Sequence, residues 1–364
     1  MPTVSVIIPS YNHEAFIEEC IQSVLNQTFQ DFEIVITDDG SIDRTVQIIE
    51  SFDDPRISLF KHPVNKGACL AANNCIVNSK GKYVAMLSSD DAWYPDKLDI
   101  QVKFLDAHPN IAAVFGRVDW VDESGKLIVA NCFPFMNVFN EKNKNRFEWL
   151  GYFFSKGNCL CHPSSLVRRE CYTEVGLLNP AMASIPDLDF WVRICLKYDI
   201  AILDKEVIRF RRMNDESNAS GNTCRTQIRS RLEYRQILNH YLRIIDPDEF
   251  LLIFPETVQY GRITAETIPY FLGRIAIDTG IDFRMVWGLD VIFGLLQKES
   301  AARALEVNCD FTYLDFIRLA AACDVFGISN ILTTQFEKRS SFRIFLSASK
   351  RYLTEIYLII KGRN

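Results

Sequence analysis

Glu33-Ile34-Val35-Ile36-Thr37-Asp38-Asp39-Gly40-Ser41 and, further along, Tyr83-Val84-Ala85-Met86-Leu87-Ser88-Ser89-Asp90-Asp91 share one design: a short, nearly continuous apolar run closed by a pair of aspartates. A run of this kind predicts a strand buried on both faces, so each acidic pair falls where a parallel strand ends and a loop begins. In open α/β sheets, ligands bind along that edge. Two acidic pairs on one edge predict a site for a metal together with something anionic.

Outward from these runs the pattern repeats. Val4 to Ile8 predicts a first strand ended by Pro9, with Asn12 placed to cap a helix whose Phe16, Ile17, Cys20, Ile21, Val24 and Leu25 form one apolar face. Gly40 allows a tight turn, and Ser41 or Asp43 can cap the helix carrying Val46, Ile48 and Ile49. Ile57 to Phe60 predicts a third strand. Asn65-Lys66-Gly67 then turns into a helix bearing Leu70, Ala71, Cys75 and Ile76. This βαβαβαβ order implies a parallel sheet with helices on both faces. Beyond it the spacing predicts a helix over Asp96 to Ala107, a strand over Ile111 to Val121, a loop over Asn131 to Asn145, a turn-rich Leu166 to Val175 and an amphipathic helix over Asp189 to Leu196. From about Arg225 the pattern is mainly helical.

With 364 residues, 48% hydrophobic and 24% charged, the chain has material for one main domain and a smaller region. Its net charge of -6 provides no broad basic surface, which excludes wrapping a nucleic acid as the main task and leaves room for a nucleotide-sized ligand. Eleven cysteines occur without a CxxC pair, and Cys20, Cys75 and Cys195 lie in apolar segments as small hydrophobes. A reducing, cytoplasmic setting is expected. No charged-then-apolar leader precedes the first strand, and no uncharged apolar run nears the ~18 residues of a membrane span.

Asp90 and Asp91 can hold a hard divalent ion that also binds phosphate oxygens, or they can cap the turn before Trp93 and Pro95. Asp39 is placed to accept an imide N–H from a uracil or thymine ring with Tyr11 stacked on it. An N-cap or Asx-turn role ahead of Ser41 is expected for one of Asp38 and Asp39, not both. Neither a GxGxxG after the first strand nor a GxxxxGK[ST] is present, so a metal rather than a glycine cradle must manage the phosphates.

The ordered set Ser5-Val6-Ile7-Ile8-Pro9-Ser10-Tyr11-Asn12, Asp38-Asp39-Gly40-Ser41-Ile42-Asp43, Asn65-Lys66-Gly67 and Ser88-Ser89-Asp90-Asp91 resembles the family 2 glycosyltransferases of the GT-A fold, over roughly the first 220 residues. That resemblance implies an α/β, Rossmann-like, mostly parallel sheet flanked by helices. The domain would span 1–224, with a nucleotide-sugar half to about 95 and an acceptor half beyond, followed by a mainly α-helical region over 225–364. It further implies an inverting transfer from a UDP- or dTDP-sugar to a carbohydrate or lipid-linked glycan in polysaccharide biosynthesis. Pro9, Tyr11, Asn12, Asp38, Asp39, Lys66, Gly67, Ser89 and Asp90 would bind the donor. Asp90 and Asp91 would hold Mn²⁺ or Mg²⁺.

The family's general base is implied in a segment commonly written Glu-Asp-x-Asp-x-Trp, occupied here by Pro186-Asp187-Leu188-Asp189-Phe190-Trp191. Asp187 matches the base. Its rival Asp189 reads better as a helix-capping carboxylate. An unperturbed aspartate titrates near 3.9, so burial or neighbouring charge must raise Asp187 for efficient proton transfer. Two departures stand out: Ser88 replaces a frequent aspartate, and Met213 follows Phe210-Arg211-Arg212 where relatives tend to carry a metal-binding histidine. A thioether is a poor ligand for hard ions, leaving Asp215 or water to complete the shell, or Arg211 and Arg212 to neutralise the diphosphate.

Other residues read more plainly. The five histidines lack partners at metal-ligand spacing, His162 suits a loop or the acceptor side, Arg168-Arg169 suits a solvated pair or an anionic acceptor, and Trp191 suits core or acceptor wall. Residues 342–360 pattern as a basic amphipathic helix, which either packs on its own domain or lies on an anionic membrane at the inner face of the cell membrane. Two other functions share the pattern: a sugar-1-phosphate nucleotidyltransferase, disfavoured because Ser10-Tyr11-Asn12-His13 is not a glycine-rich phosphate loop, and a non-catalytic binding protein of the same fold.

Overall fold

Four apolar runs near the N-terminus lie side by side in the computed structural model, which describes residues 1–128, 134–213, 221 and 223–328. β1 (Val4–Ser10) is the hub, flanked by β2 (Phe32–Asp38) and β4 (Tyr83–Met86), with β3 (Ile57–Lys61) outside β2, all parallel. Between them run α1 (Ile17–Leu25), α2 (Thr45–Glu50) and α3 (Ala68–Asn78). Val4, Val6 and Ile8 meet Ile17, Cys20, Ile21 and Val24 of α1 in a core sealed from solvent, each aliphatic side chain contributing roughly 1.5–3 kcal/mol. The expected strands are present within a few residues of their predicted ends.

The sheet continues through β5 (Ala92–Trp93), α4 (Lys97–Ala107), β6 (Ile111–Val121), α5 (Arg146–Ser155), β7 (Leu166–Arg168), α6 (Arg169–Glu174), α7 (Pro186–Cys195) and β8 (Asp199–Arg211). Its order is β3-β2-β1-β4-β7-β6-β8-β5, with β7 antiparallel to both neighbours. Two registers place the functional loops. Ser10 pairs with Asp38, aligning the ends of β1 and β2. Ala92 pairs with Arg209, which carries the end of β8 alongside Asp90 and Asp91.

Three local expectations change. Asn12 does not cap α1, which starts five residues later at Ile17; it adopts φ 51 and spans two loops instead. Leu166–Val175 contains regular structure, β7 and α6. Arg168 and Arg169 are neither solvated nor turned to an acceptor: their guanidinium groups donate to main-chain carbonyls, including Ile111 and Leu105 for Arg168 and Gly81 for Arg169.

The chain divides into two compact units, Met1–Val258 and Gln259–Asn364. The first closes with α8 (Cys224–Leu238) and α9 (Pro247–Ile253). The second contains α10 (Ile268–Asp278), α11 (Asp282–Leu296), α12 (Glu299–Cys309) and α13 (Tyr313–Ala322). Gly273 and Gly288 let α10 and α11 cross closely, since a Cβ on Gly288 would lie 2.4 Å from the Gly273 carbonyl. Among the described residues no helix is long and apolar enough to cross a membrane. The 342–360 segment and Asp215 lie outside the described residues.

Candidate active site

The loops after β1, β2 and β4 are stitched to one another by side chains from the quoted motifs. Asn12 N–H donates to Ser41 Oγ at 2.8 Å, and Asn12 Oδ1 accepts from Ile42 N–H at 2.9 Å. His13 N–H donates to Thr45 Oγ1 at 2.8 Å, while its ring Nδ1 lies 2.7 Å from Ser89 Oγ in the third loop. Pro9 sits in β1 opposite Thr37, and Tyr11 at the edge is 40% exposed.

Asp38 and Asp39 are both almost wholly buried. Asp38 accepts from Gly40 N–H at 3.2 Å and Ser41 N–H at 2.9 Å on Oδ1, and from the Ser10 and Ser41 hydroxyls on Oδ2. Those four donors fill the lone pairs of a carboxylate. Asp38 therefore shapes the turn, and its carboxylate has no acceptor capacity left for the donor, a correction to its expected direct contact. The turn ahead of Ser41 thus belongs to Asp38, and Asp39 is engaged elsewhere. Its Oδ1 takes Lys66 N–H at 3.0 Å and lies 2.7 Å from His62 Nδ1; its Oδ2 takes Gly67 N–H at 2.7 Å. One acceptor position on Oδ2 remains, enough for a single N–H. Through Asp39 the Asn65-Lys66-Gly67 turn is tied to the end of β2, with Lys66 exposed and Gly67, at φ 100, opening α3.

In the acidic loop Ser89 is buried and Asp90 half-buried, while Asp91 is 2% exposed. Asp91 Oδ1 accepts from Arg211 N–H at 2.7 Å. Its Oδ2 is buried without a hydrogen bond. Burial, followed by the charge of Asp90, pushes the Asp91 carboxyl well above its ordinary range, against the pull of Arg211. Two adjacent carboxylates, one with an unsatisfied buried oxygen, fit a hard divalent cation. Among the described residues no three His, Cys, Asp or Glu side chains converge to hold a metal, so ligand oxygens and water would complete such a shell.

Arg211 is not available to a diphosphate, contrary to one expectation. Only 2% exposed, it donates to the carbonyls of Asp90 (2.8 Å), Asp122 (3.0 Å) and Glu123 (2.8 Å) and to the Glu19 carboxylate. It is the pin that holds the acidic loop against β8 and α1. Cys20 of α1 supports the same loop through Ser88 O, 3.5 Å from its Sγ.

Asp187 stands in the first turn of α7, partly exposed. Its Oδ1 accepts from Leu188 N–H at 2.9 Å and its Oδ2 from the Asn158 amide. The protein packed around it raises its pKa to about 6, with Glu233 adding to the rise and the two hydrogen bonds opposing it. Asp189 differs. It is buried in a pair with Arg193, 2.8 Å away, and its Oδ1 lies 2.7 Å from His240 Nε2. Burial pushes it up, but the His240 hydrogen bond and the Arg193 charge outweigh this and hold it below the usual range. Two carboxylates two residues apart are thus split into a responsive one and a structural one.

Cys161 feels the charge of both the acidic loop and Asp187. Its thiol is raised first by burial, then by the charge of Asp91, with a further contribution from Asp187. His162, beside it, stacks edge-on to the buried Trp191 ring at 5.2 Å, and burial lowers its pKa to about 4, so it is neutral at pH 7. Sequence reasoning missed His13, His62, Asn158, Glu233 and His240. Only His13, adjoining the first motif, carried a local signal.

Residues 5–172 match the sequence profile of Glycosyl transferase family 2. The uncharacterized glycosyltransferase RP339 of Rickettsia prowazekii is 29% identical over 261 residues, covering 71% of this chain and 77% of that protein. TuaG of Bacillus subtilis, a glycosyltransferase named for teichuronic acid biosynthesis, is 42% identical over 106 residues, covering 29% of this chain and 42% of its own. Among solved structures, S. aureus TarS 1-349 in complex with UDP-GlcNAc superposes with a TM-score of 0.55 at 18% identity, covering 82% of this chain and 83% of that one. The mannosyltransferase PcManGT of Pyrobaculum calidifontis, in complex with GDP-Man and Mn²⁺, gives 0.50 at 18% identity, covering 88% and 87%. These likenesses bear out the expected GT-A architecture, a mixed sheet flanked by helices with a mostly helical C-terminal region.

Proposed function

The chain belongs to glycosyl transferase family 2, and on that premise we propose that it moves a sugar from a UDP- or dTDP-sugar to a carbohydrate or lipid-linked glycan acceptor with inversion, in the building of a surface polysaccharide. The observation that carries the reading is the buried Asp91 oxygen left without a hydrogen bond next to Asp90 just beyond β4, together with the Asp187 carboxylate held by Asn158 and Leu188 in the first turn of α7. One is suited to a cation and the other to a proton.

In this reading Tyr11 stacks on the base, the free position on Asp39 Oδ2 accepts its imide N–H, and Pro9, Asn12 and Gly67 shape the walls around it. Asp38 acts through the turn it holds. Lys66, exposed at the start of α3, lends positive charge, and Ser89, tied to His13, fixes the loop that presents Asp90. Asp90 and Asp91 would hold Mn²⁺ or Mg²⁺, which when bound neutralises the charge developing on the departing diphosphate. PcManGT, whose structure contains Mn²⁺, supports metal use in this fold; TarS, crystallised with UDP-GlcNAc, supports a uridine donor. The limited stretch shared with TuaG supports a polysaccharide acceptor.

Asp187 takes the proton from the acceptor hydroxyl as that oxygen attacks C1 of the sugar. The bond from C1 to the diphosphate oxygen breaks, and the configuration at C1 inverts. A pKa near 6 leaves the carboxylate largely ionised at neutral pH and stronger as a base than an ordinary aspartate. Trp191 is core, fully buried, and the neighbouring His162 ring packs edge-on against it.

Thermal unfolding in the presence of UDP, dTDP or GDP, each with and without Mn²⁺, tests the donor half of the proposal. A ligand bound only by the folded state raises Tm by mass action. UDP or dTDP with Mn²⁺ is expected to raise it and either component alone to do much less. A rise from GDP only, or one indifferent to metal, would replace this reading.

A further inference from the structure

Glu233 lies on α8, beyond the residues matched by the family profile, and is 3% exposed. Its carboxylate accepts from three successive main-chain N–H groups: Ala183 at 2.8 Å, Ser184 at 3.2 and 2.9 Å, and Ile185 at 2.9 Å. These residues immediately precede Pro186 and Asp187. Helix α7 opens on a proline, and its N-cap residue Ile185 has no side-chain hydrogen bond to offer. The segment leading to Asp187 is therefore held from outside, by a residue 46 positions downstream of Asp187. Arg229, one turn earlier on α8, bonds the Ser184 hydroxyl at 2.7 Å and approaches Glu233 at 3.6 Å.

We propose that Glu233 is a positioning residue for Asp187, so that α8 completes the active site that the family domain begins. The proposal rests on the reading of Asp187 as the base. A buried carboxylate cradled by three amides is a rigid clamp, because each bond is charge-assisted and water cannot compete for it. The same segment is tied a second time, through His240 after α8 to Asp189, two residues beyond the base. Glu233 also acts through its charge, which adds to the rise of both Asp187 and Cys69. The groups that bond Asp187 or feel its charge are Asn158 from the loop after α5, Glu233 from α8, and the thiols of Cys161 and of Cys69 from α3. Of these, Glu233 is itself approached by the Arg229 guanidinium, 3.6 Å away.

The test uses the full chain with ¹³C-carboxyl-labelled aspartate, the Asp187 resonance being identified by its loss in Asp187→Asn. Turnover is read as UDP released from UDP-GlcNAc with Mn²⁺. In Glu233→Gln the Asp187 midpoint should fall below about 6, because a like charge is removed. UDP release should drop at least about tenfold with KM for the donor unchanged. Glu233→Asp keeps the charge but shortens the reach, so its midpoint should stay while turnover falls; it carries the test if the glutamine variant does not fold. Both variants titrating and turning over like the parent would overturn the proposal, as would a loss of turnover in Glu233→Gln with the midpoint unmoved. Failure of the base reading looks different: Asp187→Asn itself would retain turnover.

Discussion

Arg211 donates its main-chain N–H to Oδ1 of Asp91 at 2.7 Å, joining residues 120 positions apart and leaving Oδ2 of the same carboxylate buried and unsatisfied. The end of β8 thereby decides which oxygen of the acidic motif is left without a hydrogen bond.

Asp91→Asn should abolish the metal-dependent stabilisation by UDP, about 2.7 kcal/mol at a hundredfold excess over Kd. The unliganded variant should be at least as stable as the parent at pH 7, because a buried charge beside Asp90 is removed while Arg211 keeps an acceptor. Thermal unfolding with and without UDP and Mn²⁺ measures both effects; loss of the unliganded fold would contradict the second.

Turnover should depend on pH through Asp187. Its carboxyl is raised from the ordinary value to about 6, so protons occupy it below that pH and kcat/KM should climb with pH through about 6 and then level off. In Asp187→Asn the limb should vanish and kcat fall by about 10²–10⁴ with donor binding retained. A pH profile of UDP release from the parent and the variant decides the matter.

Arg211→Ala should destabilise the first unit by about 3 kcal/mol or more, since it leaves the Asp90, Asp122 and Glu123 carbonyls without their charged donor. Urea unfolding should show a lower midpoint. Metal-dependent UDP binding should weaken in the surviving folded protein because the acidic loop loses its pin.

Gly40→Ala should weaken both fold and donor binding. Gly40 sits at φ +80, and a Cβ there would lie 2.8 Å from the Val64 carbonyl carbon, where the β2 loop meets the strand of chain leading to Asn65. Strain of about 1–3 kcal/mol is expected, read as a lowered Tm together with a smaller shift from UDP and Mn²⁺.

Much of the site was visible in the linear chain because each motif is local. An apolar run followed by two acids says strand, then loop edge, without help from distant residues. Other elements were hidden for identifiable reasons. β8 escaped because the exposed Asp204-Lys205-Glu206 interrupts its apolar pattern midway. α5 escaped inside an aromatic stretch, although the Asn145–Glu148 capping box was a usable signal.

What the sequence determined by itself is the four-strand parallel core and the side chains presented at its edge, since burial of alternating β and α segments admits few arrangements. Tertiary packing alone decided which carboxylates were consumed and which were left responsive. Asp38 is saturated by its own turn, Asp189 by Arg193 and His240, while Asp91 keeps an empty oxygen and Asp187 an elevated pKa. The reason is physical: a carboxylate's chemistry depends on how many donors reach it and how much water is excluded, and at Asp91, Asp187 and Asp189 residues remote in sequence, Arg211, Asn158 and His240, take part in both.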